Sequence, residues 1–143
     1  MKIALALLCD YALVDRLGKL SVLGIFEHLW IQRFPAVHPR LHLVLRLKGK
    51  RTEIGEHTVR IRLLDPDDHE ILGGTGVVDF AEPPAGVTEI EAGTVLVFDV
   101  PVAKPGRCRF EISVDDTVEE TVPLTVMQAP GNQLPTHPTK SES

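Results

Sequence analysis

Between Leu41 and Lys48 the chain reads LHLVLRLK, and this strict alternation constrains the fold more than any other stretch. Side chains two apart share one face of a β-strand. The pattern sets Leu41, Leu43, Leu45 and Leu47 on one side and His42, Val44, Arg46 and Lys48 on the other. After the polar segment 50–55, HTVRIRLLD repeats it, with Val59, Ile61 and Leu63 inward and Arg60 and Arg62 outward. Two alternating runs with a short polar join predict an antiparallel hairpin in which Leu47 faces Val59. RCRFEISV alternates again, aligning Cys108, Phe110, Ile112 and Val114.

The rest of the chain is punctuated like a β-domain. Eleven glycines and eleven prolines separate short apolar runs, which favours an all-β architecture. Strands are predicted at residues 3–9, at 18–27 with HLWIQ as an extension, at ILGGTGVVDF and at 94–102. FPAVHP reads as an extended connector, because its prolines fix φ and restrict the preceding residues. AEPPAGVTEIEAG reads as a loop. In the final hairpin, a three-residue loop of Asp115 to Thr117 sets Val114 opposite Val118, Phe110 opposite Val122 and Cys108 opposite Leu124. A two-residue loop would move Phe110 to Thr121 and split the apolar faces, since a one-residue slip flips every side chain. The longer loop is therefore predicted, with Glu120 falling opposite Ile112. Pro123, which has no N–H to donate, marks the last strand as an edge. The expected fold is a two-sheet antiparallel sandwich of about eight strands, an immunoglobulin-like Greek key over residues 1–127. Residues 128–143, rich in proline and polar side chains, read as a disordered tail.

The opening, MKIALALLCDYA, is too short in its apolar run and too quickly charged at Asp10 for a secretory leader, so it reads as a buried strand. No stretch reaches the 18 apolar residues of a membrane span. With no leader, Cys9 and Cys108 are expected as reduced thiols in a cytoplasm. The net charge of −5 and pI of about 5.6 argue against a nucleic-acid binder.

The segments LCDYA, GKLSVLGIFE, FPAVHP, LVLRL, GEHTVRIRLLDPDD and KPGRCRFEISVDD…VPLTV, taken in order, resemble a bacterial family of unknown function over residues 3–126. The resemblance implies a compact, mostly β bacterial protein. It supplies no activity, ligand or catalytic residue. The DPDD turn departs from the Asp-Gly such turns often carry.

Candidate chemistry is sparse. His38 and His42 have metal-like spacing, but Pro39 keeps them off a shared helical face. Asp65, Asp67 and Asp68 suggest a cation site, although an EF-hand's glycine and distal glutamate are missing; ordinary turn chemistry is the favoured account of them. Cys9 beside Asp10 has apolar neighbours that disfavour a thiolate. If the predicted hairpin forms, Arg46, Lys48, Arg60 and Arg62 share one patch. Like charges facing each other across strands need compensation, either from carboxylates on adjacent strands or from an acidic partner segment or anion. The reading is a non-enzymatic protein-interaction module with no cofactor, binding neither nucleic acid nor membrane and open to self-association through an edge strand. The alternative is a metal- or small-ligand-binding domain with its site in the loops at one end of the sandwich.

Overall fold

Leu41, Leu43, Leu45 and Leu47 are all sealed from solvent, with Val59, Ile61, Leu63, Phe110, Ile112 and Leu124 in the same core. Each such burial contributes roughly 1.5–3 kcal/mol relative to exposure. The computed structural model describes residues 1–130, and nine strands account for most of them: β1 (Lys2–Val14), β2 (Leu20–Ile25), β3 (His28–Ile31), β4 (Ala36–Lys50), β5 (Gly55–Leu64), β6 (Glu70–Phe80), β7 (Glu89–Val102), β8 (Gly106–Val114) and β9 (Thr117–Gln128). They form a four-stranded sheet in the order β2-β1-β4-β7 and a five-stranded sheet in the order β3-β9-β8-β5-β6. The all-β, two-sheet expectation holds. Most of the proposed tail lies outside the described residues.

The expected β4–β5 hairpin does not form. The two strands belong to different sheets, and their apolar faces meet across the core. Facing each other buries both rows of aliphatic side chains, which side-by-side pairing would not do. A single 3₁₀ turn, Arg51–Glu53, carries the chain between sheets. The Lys50 N–H donates to Glu53 Oε1 at 2.8 Å, and the Arg51 N–H donates to the Thr88 carbonyl at 2.9 Å.

Val44 lies on the face that alternation gives it, opposite the leucines, but that face is not open to solvent there. It is sealed from solvent on the outer face of the four-stranded sheet, in a second apolar cluster with Cys9 and Ala12. Leu7, Leu20, Val22 and Val95 pack against that cluster. β1 pairs with β4 as far as Cys9, then continues to Val14 in a hairpin with β2. The hairpin tip lies over the sheet, and Leu20 occupies the space above Gly93 on β7: a Cβ there would meet Leu20 Cγ at 3.0 Å.

The last hairpin combines both registers weighed from sequence. The turn is the two-residue Asp115-Asp116, with Val114 opposite Thr117 and both aspartates at positive φ, 48° and 69°, as a twist-matched tight hairpin turn requires. An irregularity between Ile112 and Ser113 then restores Phe110 to Val122 and Cys108 to Leu124. Core burial won the register, and the bulge absorbed the shorter turn. Nor is β9 an edge: β3 pairs with it in parallel over Thr125–Gln128, leaving Pro123 just outside the paired stretch. FPAVHP is likewise more than a connector. After a cis Phe34-Pro35 bond, Ala36 to His38 already pair with β7, and a shift between His38 and Leu41, with Arg40 at φ 49°, accommodates Pro39. β7 starts at Glu89, within the segment read as a loop.

Candidate functional site

At one end of the sandwich β5 finishes, β8 begins and the Asp65–Glu70 turn crosses the opening. Asp65 Oδ1 accepts the N–H groups of Asp67 at 2.8 Å and His69 at 2.9 Å. Those hydrogen bonds hold the Asp65 carboxyl below its ordinary pKa, that from His69 most. Ligand atoms of Asp65, Asp67 and His69 lie within 4.8 Å of one another. Asp68, the third carboxylate of the expected cation site, instead accepts from Arg109 Nη2 at 2.6 Å. The turn therefore has a structural account: Asp65 closes it, and Asp68 ties it to β8.

Behind this turn the sheets part around a cavity of about 550 Å³. Its walls include Leu63, Ile71, Val100, Val102, Leu124 and Val126, with the Cys108 sulfur residue among them and Asp65 and Lys104 as the charged lining residues. Burial pushes the Cys108 thiol pKa up, and the nearby Asp65 charge adds to the effect. This cavity was not read from the sequence. Its local trace is the proline-flanked VPVAKPG segment, where β7 stays paired through Pro101 and ends at Val102.

The four cations do not share a patch. Arg46 and Lys48 belong to the four-stranded sheet, Arg60 and Arg62 to the five-stranded one. Arg46 and Lys48 lie 3.7 Å and 3.9 Å from Glu91 on β7. Arg62 donates to Glu70 at 2.9 Å and to Glu111 at 3.2 Å. Arg60 sits between Thr75 and Ser113. The shared patch required the hairpin that core packing replaced. Neutralising carboxylates on neighbouring strands are present for three of the four cations.

The opposite end holds a contact network the sequence did not suggest. His57 Nδ1 meets Asp115 Oδ2 at 2.5 Å, and Nε2 meets the Glu53 carbonyl at 2.6 Å. Both partners are acceptors, so the ring serves both only as imidazolium. Its pKa is raised, chiefly by the Asp115 carboxylate, and that of Asp115 is lowered, chiefly by His57. Glu53 also binds the Met1 ammonium. The network ties the 3₁₀ crossover, the β8–β9 turn and the start of β1 together.

The outer hairpin face is apolar and accessible. Ile25, Cys9, His42 and Val97 form one cross-strand row, and Tyr11 pairs with Leu23 beside it. Ile25, Leu23, Tyr11 and Val97 are 61%, 67%, 52% and 50% exposed. Below them, His42 Nδ1–H donates to the Arg40 carbonyl at 2.8 Å, and Tyr11 lies over its ring at 5.5 Å. His38 instead packs on Phe26, 5.8 Å between ring centres. The sequence signal for this face was the loss of alternation in YALV and LSVLGI, where apolar residues fall on both parities.

A family model describing a family of unknown function matches residues 4–127, from the third residue of β1 to the penultimate residue of β9. The chain belongs to DUF6941. The resemblance seen in the LCDYA to VPLTV series therefore agrees with the family match. The DUF6941 segment includes the hairpin face, the cavity walls and all of the His57 network except Met1. No curated protein matches the sequence.

Among the described residues no helix is long and apolar enough to cross a membrane.

Proposed function

We propose that this chain is a non-enzymatic, cytoplasmic protein-interaction module, built on an immunoglobulin-like Greek-key frame and docking a protein through the outer face of its β1–β2 hairpin. The observation that carries the reading is the exposed set Tyr11, Leu23 and Ile25 on the paired strands β1 and β2, with Val97 exposed farther along the same row on β7. Contiguous exposed apolar side chains mark interaction surfaces more often than scattered ones do. The partner surface is accordingly apolar; the cations first considered for an acidic partner are separated, and Glu91, Glu70 and Glu111 lie beside three of them.

Strand order supports the immunoglobulin-like assignment. β1, β4 and β7 take the places of strands A, B and E, β5, β8 and β9 those of C, F and G, and β6 adds beside β5 as C′. The non-enzymatic reading rests on the titratable groups that do cluster. His57 and Asp115 brace an end of the sandwich, Asp65 closes its own turn, and burial raises both thiol pKa values. Cytoplasmic residence fits two free cysteines, one in the outer cluster and one in the main core.

A photo-crosslinking side chain placed at Leu23 tests the docking face, with Val118 on β9, also exposed, as the control position. The expected result is one discrete protein adduct from position 23, lost in Ile25→Asp, and none from position 118. An adduct with a second copy of the chain identifies self-association through the same face. Equal labelling from both positions refutes the reading.

A further inference from the structure

We propose that the cavity behind the Asp65–Glu70 turn binds a straight aliphatic chain, tail first, leaving its polar end at the mouth beside Lys104. The site is separate from the hairpin face and stands independently of the docking role.

Its chemistry is one-sided. The lining residues are aliphatic side chains and prolines, together with Cys108 and the two charged residues Asp65 and Lys104; none is aromatic. Such walls give a buried polar group nothing to bond, so the inserted part of a ligand must be hydrocarbon. Without aromatic faces, a flat ring gains no stacking partner. At about 30 Å³ per water-sized group, the volume of about 550 Å³ holds on the order of fifteen such groups, a medium-length chain rather than a single methyl. The size also falls in the range of small-molecule sites.

The mouth explains which end stays outside. Asp65 is turned onto its own loop by two N–H donors, with His69 3.5 Å from its other oxygen. The Lys104 ammonium, on an exposed loop residue, is the cation of the lining and supplies donors to a polar end group. Cys108, 8% exposed, places a thiol reporter within the same wall.

The test uses full-length protein and straight-chain alkanoates of six to twelve carbons, measured by calorimetry. Affinity is expected to rise about fourfold per added methylene until the cavity is filled. A saturating alkanoate should slow alkylation of Cys108 by a small thiol reagent at least tenfold. Ile71→Phe, which narrows the site from a partly exposed position, should weaken the longest chain at least tenfold. Binding without chain-length dependence, or Cys108 alkylation unchanged at saturation, overturns the proposal. Those two readouts use the unmodified protein, so they decide it even if the variant misfolds.

Discussion

Truncating Val44 to alanine distinguishes a covered outer face from a solvent-facing one. On a strand with one buried face, Val44 would point to water and its loss would cost about 0.5 kcal/mol or less. In the structure it is sealed beneath the β1–β2 hairpin, among Leu7, Cys9, Ala12, Leu20, Val22 and Val95. Val44→Ala removes two methylene equivalents, about 1.6 kcal/mol of transfer free energy at ~0.8 kcal/mol each. A partly collapsed cavity adds up to about 1 kcal/mol. The expected loss is thus about 2–2.5 kcal/mol, a fall of roughly 6–12 °C in Tm for a domain of this size. Urea denaturation followed by far-ultraviolet circular dichroism measures it. Val97→Ala, on the same face but half exposed, is the control and should cost less than about 0.5 kcal/mol. If the two variants are equally mild, the hairpin does not cover Val44 in solution and the two-cluster description fails.

Gly93→Val should displace Leu20 from the sheet and destabilise by about 1–3 kcal/mol, making Cys9 accessible to thiol alkylation while Cys108 changes little. Asp116→Gly should raise stability by about 0.5–1 kcal/mol in the same urea assay, because glycine adopts φ of 69° without the cost to an L-residue; an unchanged or lower midpoint contradicts the turn geometry. The His57–Asp115 pair should contribute most between about pH 4 and 6.5. The raised His57 pKa makes its contribution complete below the unfolded value near 6.5 and lost as pH rises through the folded one; the depressed Asp115 pKa makes its contribution present above about 4 and lost as pH falls through the folded one. Melting curves of His57→Ala should lose the alkaline decline due to this pair, and an identical pH profile in wild type and variant would contradict it.

Period-two spacing made the leucines of β4 and the inward residues of β5 and β8 legible, because burial on one face is written into each strand alone. Partnership was not. The polar join at 50–55 suits a hairpin and a crossover equally, and only three-dimensional packing decides that β4 and β5 lie in different sheets with Leu47 and Val59 in one core. The burial of Val44 was hidden for a related reason. Alternation assigns a face, but it does not reveal that an earlier segment folds over the other one. The Asp115 turn shows a third limit: pattern arguments identified the apolar partners Phe110 and Val122 but not the bulge that reconciles them with a two-residue turn. The cavity and the His57 contacts depend on residues tens of positions apart, with no local pattern to connect them.

The parallel seam between β3 and β9 has a consequence for synthesis. His28 is aligned with Thr125, so a ribosome emits one half of this clasp almost a whole domain before the other. Until the carboxyl-terminal strand emerges, Leu29 has no shelter along that side. Closing so distant a contact is slow, which makes the newborn chain's left-open margin, rather than its leucine-rich middle, the last part of the frame to be sealed.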